Sequence, residues 1–194
     1  MSAERIQRLA RDERLARLAG FWWGFAEGVF FFIVPDVYVT FAALFSLRTG
    51  VVAWVASIAG SLTGVVTVYL LVALGVNYVP FLNLIPGISE RMLFAVGAQL
   101  GADGLPYTPL LILGGVPLKV YSGVASTLGI GLGSMLLWTV FARIVRIAPT
   151  FALVAATRLL FRRSIDARTV AWCALLGCVW VAFYVFYFIH MSRA

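Results

Sequence analysis

Glu27, Asp36 and Lys119 stand inside long apolar tracts of the 194-residue chain, and each is close to a proline: Glu27 and Asp36 flank Pro35, and Lys119 follows Pro117 by two residues. A charge near the centre of a bilayer costs at least about 2.5 kcal/mol even on the lenient insertion scale, so an ionisable group at membrane depth is a functional-site candidate. Proline removes a backbone donor and breaks a helix. In lipid such a break survives only where protein or a water-filled cavity covers it. A carboxyl in a low-dielectric site can load and release a proton near neutral pH, which suits Glu27 and Asp36 to proton coupling. Lys119, beside a broken helix end, joins a cation to free backbone donors. It is the first candidate for binding an anionic head group, with Arg48 behind the first tract as the second. A plainer reading has Glu27 and Asp36 in a static salt bridge with Lys119 or Arg48, or Lys119 snorkelling to the interface.

The composition requires a membrane to surround these residues. The chain is 62% hydrophobic and 12% charged, with a mean hydropathy of +0.99. A soluble domain is about 45–50% apolar and about 25% charged. The first twenty residues carry five arginines among Glu4, Asp12 and Glu13 and lack an apolar core, so they are not a secretory signal. Cys173 and Cys178 lie five apart in the last apolar tract, a spacing that suits neither a disulfide nor a metal pair.

Charge and proline placement predict the path of the chain. Arg5, Arg8, Arg11, Arg14 and Arg17 recur opposite Ile6, Leu9, Leu15 and Leu18, which predicts a basic amphipathic helix over residues 1–20 on an anionic cytoplasmic leaflet. Residues 21–194 then form a single transmembrane domain. Residues 21–47, broken at Pro35 and followed by Arg48, fit a re-entrant hairpin that enters from the cytoplasm and returns there. Residues 51–76 form an uninterrupted span with Gly60 and Gly64 positioned for close helix packing. Residues 92–122 contain Pro106, Pro109 and Pro117, which predicts a second re-entrant region, this one from outside. A span over 123–142, an interfacial helix over 150–163 and a last span over 169–189 complete the path, with Arg143, Arg146, Arg158, Arg162, Arg163 and Arg168 gathered inside. The expected fold is an all-α integral membrane protein with two proline-broken re-entrant hairpins entering from opposite faces and about three full transmembrane helices. This is a pseudo inverted repeat of the transporter kind.

The segment Phe25-Ala26-Glu27-Gly28-Val29-Phe30-Phe31-Phe32-Ile33-Val34-Pro35-Asp36 resembles the opening hairpin of the DedA family, also called the VTT or SNARE-associated domain. There a glutamate is followed nine residues later by a second acid, with proline between. Gly114-Gly115-Val116-Pro117-Leu118-Lys119-Val120-Tyr121-Ser122-Gly123 is similar to the family's second hairpin, in which a proline, a basic residue and small residues follow one another. The chain reads as a divergent member, with one proline in the first hairpin, Asp36 where glutamate is more common and Lys119 where arginine is often found. The resemblance implies a bacterial inner-membrane transporter with its N-terminus cytoplasmic. Its expected activity is that of a proton-coupled flippase of a lipid phosphate or polyprenyl phosphate carrier.

Other classes fit less well. The one histidine, His190, lies at the far end of the chain, which excludes the usual serine–histidine chemistry. Glu27 and Asp36 form one carboxylate pair without a third acid to hold a divalent ion, so neither an enzyme nor a metal or other cofactor is expected. Nothing in the chain points to nucleic acid. A transporter of a small solute or ion is the nearest alternative, and a non-transporting assembly or scaffold protein would not need the buried charges. A homo-oligomer is compatible with either. A lateral opening between the hairpins would suit a lipid tail, and a closed polar cavity a solute.

Overall fold

The computed structural model describes residues 3–106 and 115–193, with side chains over 4–106 and 115–189. Residues 107–114, which include Pro109 and Gly114 of the second expected break, lie outside the described residues, as does the side chain of His190. All regular structure among the described residues is helical: α1 Ala3–Ala10, α2 Glu13–Val29, α3 Asp36–Phe45, α4 Leu47–Ala73, α5 Tyr78–Leu82, α6 Glu90–Asp103, α7 Leu118–Thr127, α8 Leu132–Ala167 and α9 Thr169–Arg193. Three of these, α4, α8 and α9, are long and apolar enough to cross a membrane.

Pro35 and Pro117 each end an irregular stretch and start a helix. Pro35 is the N-cap of α3 and Pro117 the N-cap of α7, and neither cap has a side-chain hydrogen bond. Both helices have ten residues, about 15 Å at 1.5 Å per residue, too short to span a core of about 30 Å. They are nonetheless the most enclosed parts of the chain, with Lys119 through Ala125 buried without interruption in α7. Protein therefore covers most of the helix that follows each break.

Small residues determine how the first four helices pack. Gly20, Gly24 and Gly28 of α2 lie against Ala53, Ser57 and the Ser61–Gly64 turn of α4, so these two helices run side by side in the same direction. Between them α3 brings the chain back. Ala43 meets Gly50 just past the Ser46 cap, whose side chain accepts from the Thr49 amide at 3.2 Å. Ala16, Val39, Ala42 and Ala53 then share one cluster at that end. At the other end, Val65 and Val68 of α4 pack with α5, α6, α7 and the start of α8. Trp138 donates to the Pro106 carbonyl at 2.7 Å, and Tyr69 to the Ile130 carbonyl at 3.0 Å. From there α8 runs back past Glu27 at Arg143 and reaches Ile147 and Val154 in the clusters around Ala16 and Ala43.

Three boundaries differ from those expected. The basic segment is not one helix over 1–20, because Asp12 accepts from the Arg14 and Leu15 amides at 2.8 and 3.1 Å and so caps a new helix. The span expected over 123–142 begins instead at Leu132: α7 ends at Thr127, and Gly129, at φ 73°, turns the chain. The helix expected over 150–163 is not separate either. α8 continues through Pro149, where Ile147, Thr150 and Val154 hold it against its neighbours, and kinks at Phe161.

Candidate functional site

The end of α2 and the start of α7 meet at one point. Glu27, near the end of α2, and Lys119, at the start of α7, are each 1% exposed, and the Lys119 Nζ lies 3.8 Å from Glu27 Oε1. The other carboxylate oxygen, Oε2, accepts from Nη2 of Arg143, a third of the way along α8 and 2% exposed. One acid thus joins two cations from two other helices. A buried charge of this kind is tolerated only when paired, and here the pairing connects α2, α7 and α8.

Asp36 starts α3 beside this cluster. Its Oδ1 accepts from the Thr150 hydroxyl at 3.3 Å, while its Oδ2 is buried without a hydrogen-bond partner. Arg143 likewise leaves Nε buried and unpartnered. Buried polar atoms are nearly always satisfied, so these two orphans mark a place where something besides packing has set the residues.

A cavity of about 320 Å³ opens onto the cluster, lined at its floor by Glu27, Asp36, Thr40, Arg146 and Thr150. Its volume is within the range of about 300–1,000 Å³ typical of ligand pockets. The loop before α7 contributes Gly115 and Pro117, and α9 closes the side. Helix α9 is attached there by a few polar contacts: Trp180 donates to Thr40 Oγ1 at 3.0 Å, Tyr184 accepts from the Val34 amide at 2.8 Å, and Tyr187 donates to the Gly115 carbonyl at 3.2 Å. The wall is otherwise apolar. Among the described residues, the exposed side chains of the lining are Phe32, Leu153 of α8, and Val179 and Phe183 of α9, all of them apolar.

The structure brings together Glu27, Asp36, Lys119 and the breaks at Pro35 and Pro117. It does not bring Arg48 to them. That side chain is 82% exposed and pairs with Glu13 at 2.8 Å, at the opposite end of α2 from Glu27. Arg143, Arg146 and Thr150 are the residues that sequence reasoning did not place in the site. Their signal is a spacing of three and seven along one helix, which puts all three on one face. Comparison of the chain with family models, with curated proteins and with solved structures finds no match.

Proposed function

We propose that the chain is a membrane transporter that moves an amphiphile with an anionic head group, a lipid phosphate or polyprenyl phosphate, across a bacterial inner membrane with proton coupling. This is the activity implied by the resemblance to the DedA family. The observation that carries it is a buried charge cluster at the floor of a cavity whose rim consists of exposed apolar side chains. A head group would reach charge through that mouth while its tail stays in lipid. A soluble solute would have to enter through hydrocarbon, so the solute reading is the weaker one.

We read the first hairpin as re-entrant: Trp23 of α2 donates to the Ile33 carbonyl at 2.9 Å, which brings the chain back onto α2 within a few residues of its end. Within the cluster, Glu27 is fixed between two cations and holds the helices, and Asp36 is the carboxylate with an oxygen free to exchange a proton.

The test is translocation of a fluorescent polyprenyl phosphate in proteoliposomes with and without an imposed pH gradient. Gradient-dependent movement that falls at least tenfold in Glu27→Gln and Lys119→Met supports the reading. Wild-type rates no higher than those of protein-free vesicles overturn it.

A further inference from the structure

Of the three cations near the cavity, two are already occupied. Lys119 and Arg143 both face Glu27. Arg146 lines the cavity half-buried and has no ion pair within 4 Å among the described residues. Its position follows from helix geometry, since it lies one turn from Arg143, which holds Glu27, and one turn from Thr150, which holds Asp36. Asp36 lines the same floor with Oδ2 unpartnered. The cluster thus contains two acids and three bases, one positive charge in excess, and the unpaired base faces the cavity.

We infer that Arg146 receives the anionic head group, and that the Asp36 carboxylate competes with that group for Arg146 until Asp36 is protonated. The inference rests on the proposed function and assigns the coupling device within it. With Asp36 ionised, its charge partly neutralises Arg146 and repels an incoming anion. A proton from the gradient on Oδ2 removes that charge without moving a helix, and Arg146 is then free for the head group. The remaining charged or titratable neighbours of Asp36 are Arg143 on the same helix as Arg146, Glu27 on α2 and Tyr184 on α9, and Lys119 and Tyr187 also face Arg146. Glu27 holds both Lys119 and Arg143, whereas Asp36 keeps Oδ2 without a partner, so Asp36 is the carboxylate in this set on which a proton is placed. The ligand class is a phosphate-type anion on an apolar tail, since the walls beyond Arg146 offer hydrocarbon and aromatic rings.

The probe is a fluorescent short-chain phosphatidylglycerol, whose phosphodiester keeps one charge from pH 5 to pH 8. Binding to the purified full chain is titrated across that range, with inorganic phosphate and a diacylglycerol of the same tails as competitors. Wild-type affinity should rise at least tenfold as pH falls. Asp36→Asn should bind tightly with no pH dependence, Arg146→Gln should lose at least tenfold at every pH, and Arg146→Lys should keep most of the binding, which separates loss of the cation from loss of the fold. The diacylglycerol should compete poorly and inorganic phosphate worse still. Arg146→Gln binding like wild type, Asp36→Asn keeping the wild-type pH profile, or free phosphate competing as well as the amphiphile would each overturn the inference. Wild-type lipid transport that survives in Arg146→Gln would remove this site and leave the transport reading standing, whereas absence of wild-type transport removes that reading itself.

Discussion

Glu27 is the residue on which the interior depends, because it holds Lys119 and Arg143 from two other helices where all three side chains are almost fully buried. Removing one partner of a buried ion pair leaves an uncompensated charge and costs more than the pair contributes when whole. Arg143→Met should therefore destabilise the folded protein by on the order of 3 kcal/mol. The double variant with Glu27→Gln should lose less than the sum of the two single losses, by at least about 1 kcal/mol, because the groups act as a unit. Unfolding in detergent of the four proteins gives the cycle, and additive losses would mean that the cluster is not coupled. Glu27, Asp36 and Lys119 were legible in the sequence because a charge inside an apolar tract has few explanations. Arg143 and Arg146 were not, because they stand where the apolar run ends and an arginine there is equally well explained as an orientation charge. Only the position of α8 against Glu27 and Asp36 separates the two roles. Arg48 illustrates the converse: its place after the first hairpin suggested the site, yet it faces outward to Glu13.

At the scale of elements, the contact between α2 and α4 depends on the absence of side chains. A Cβ at Gly24 would meet the Ser57 carbonyl and one at Gly60 the Phe21 carbonyl, both backbone atoms that cannot step aside. Gly24→Ala should destabilise the protein by about 1–3 kcal/mol, the range for overpacked interiors. Gly101→Ala, in α6 with nothing near its Cβ among the described residues, should be neutral or stabilising by about 0.5–1 kcal/mol, since glycine is the poorer helix residue. Thermal unfolding of the two variants compares them directly, and equal effects would count against close backbone contact as the basis of this packing. The breaks at Pro35 and Pro117 and the packing of Gly60 and Gly64 were readable because each depends on local chemistry. The passage of α8 through Pro149 was not. Proline normally ends a helix at that point, and the helix continues only because tertiary contacts at Ile147, Thr150 and Val154 hold it, which a single sequence does not display.

At the scale of the whole molecule, charge is distributed between two ends. At one end Gln7 donates to the Asp166 carbonyl at 3.1 Å, and Arg11 and Arg158 both reach the Asp166 carboxylate, at 3.5 and 2.9 Å, so α1 lies on the α8–α9 junction among Arg162, Arg163 and Arg168. At the other, α5 and α6 carry Glu90, Arg91 and Asp103, where acids and bases nearly balance. Basic residues are retained on the cytoplasmic side during insertion, so the arginine-rich end should be inside, as the proposed coupling to an inward proton gradient requires. With Cys173 and Cys178 first replaced by alanine, a cysteine at the exposed position Asn83, beyond α5, should react with a membrane-impermeant maleimide in intact cells. A cysteine at the exposed position Arg163 should react only after permeabilisation. The opposite pattern would reverse the orientation, and the direction of any proton-driven transport with it. Labelling of both from the same side would mean that the chain from α6 to α8 makes no net crossing of the membrane, and α8 as the one span between the two positions, with a cavity beside it open to lipid, would fall.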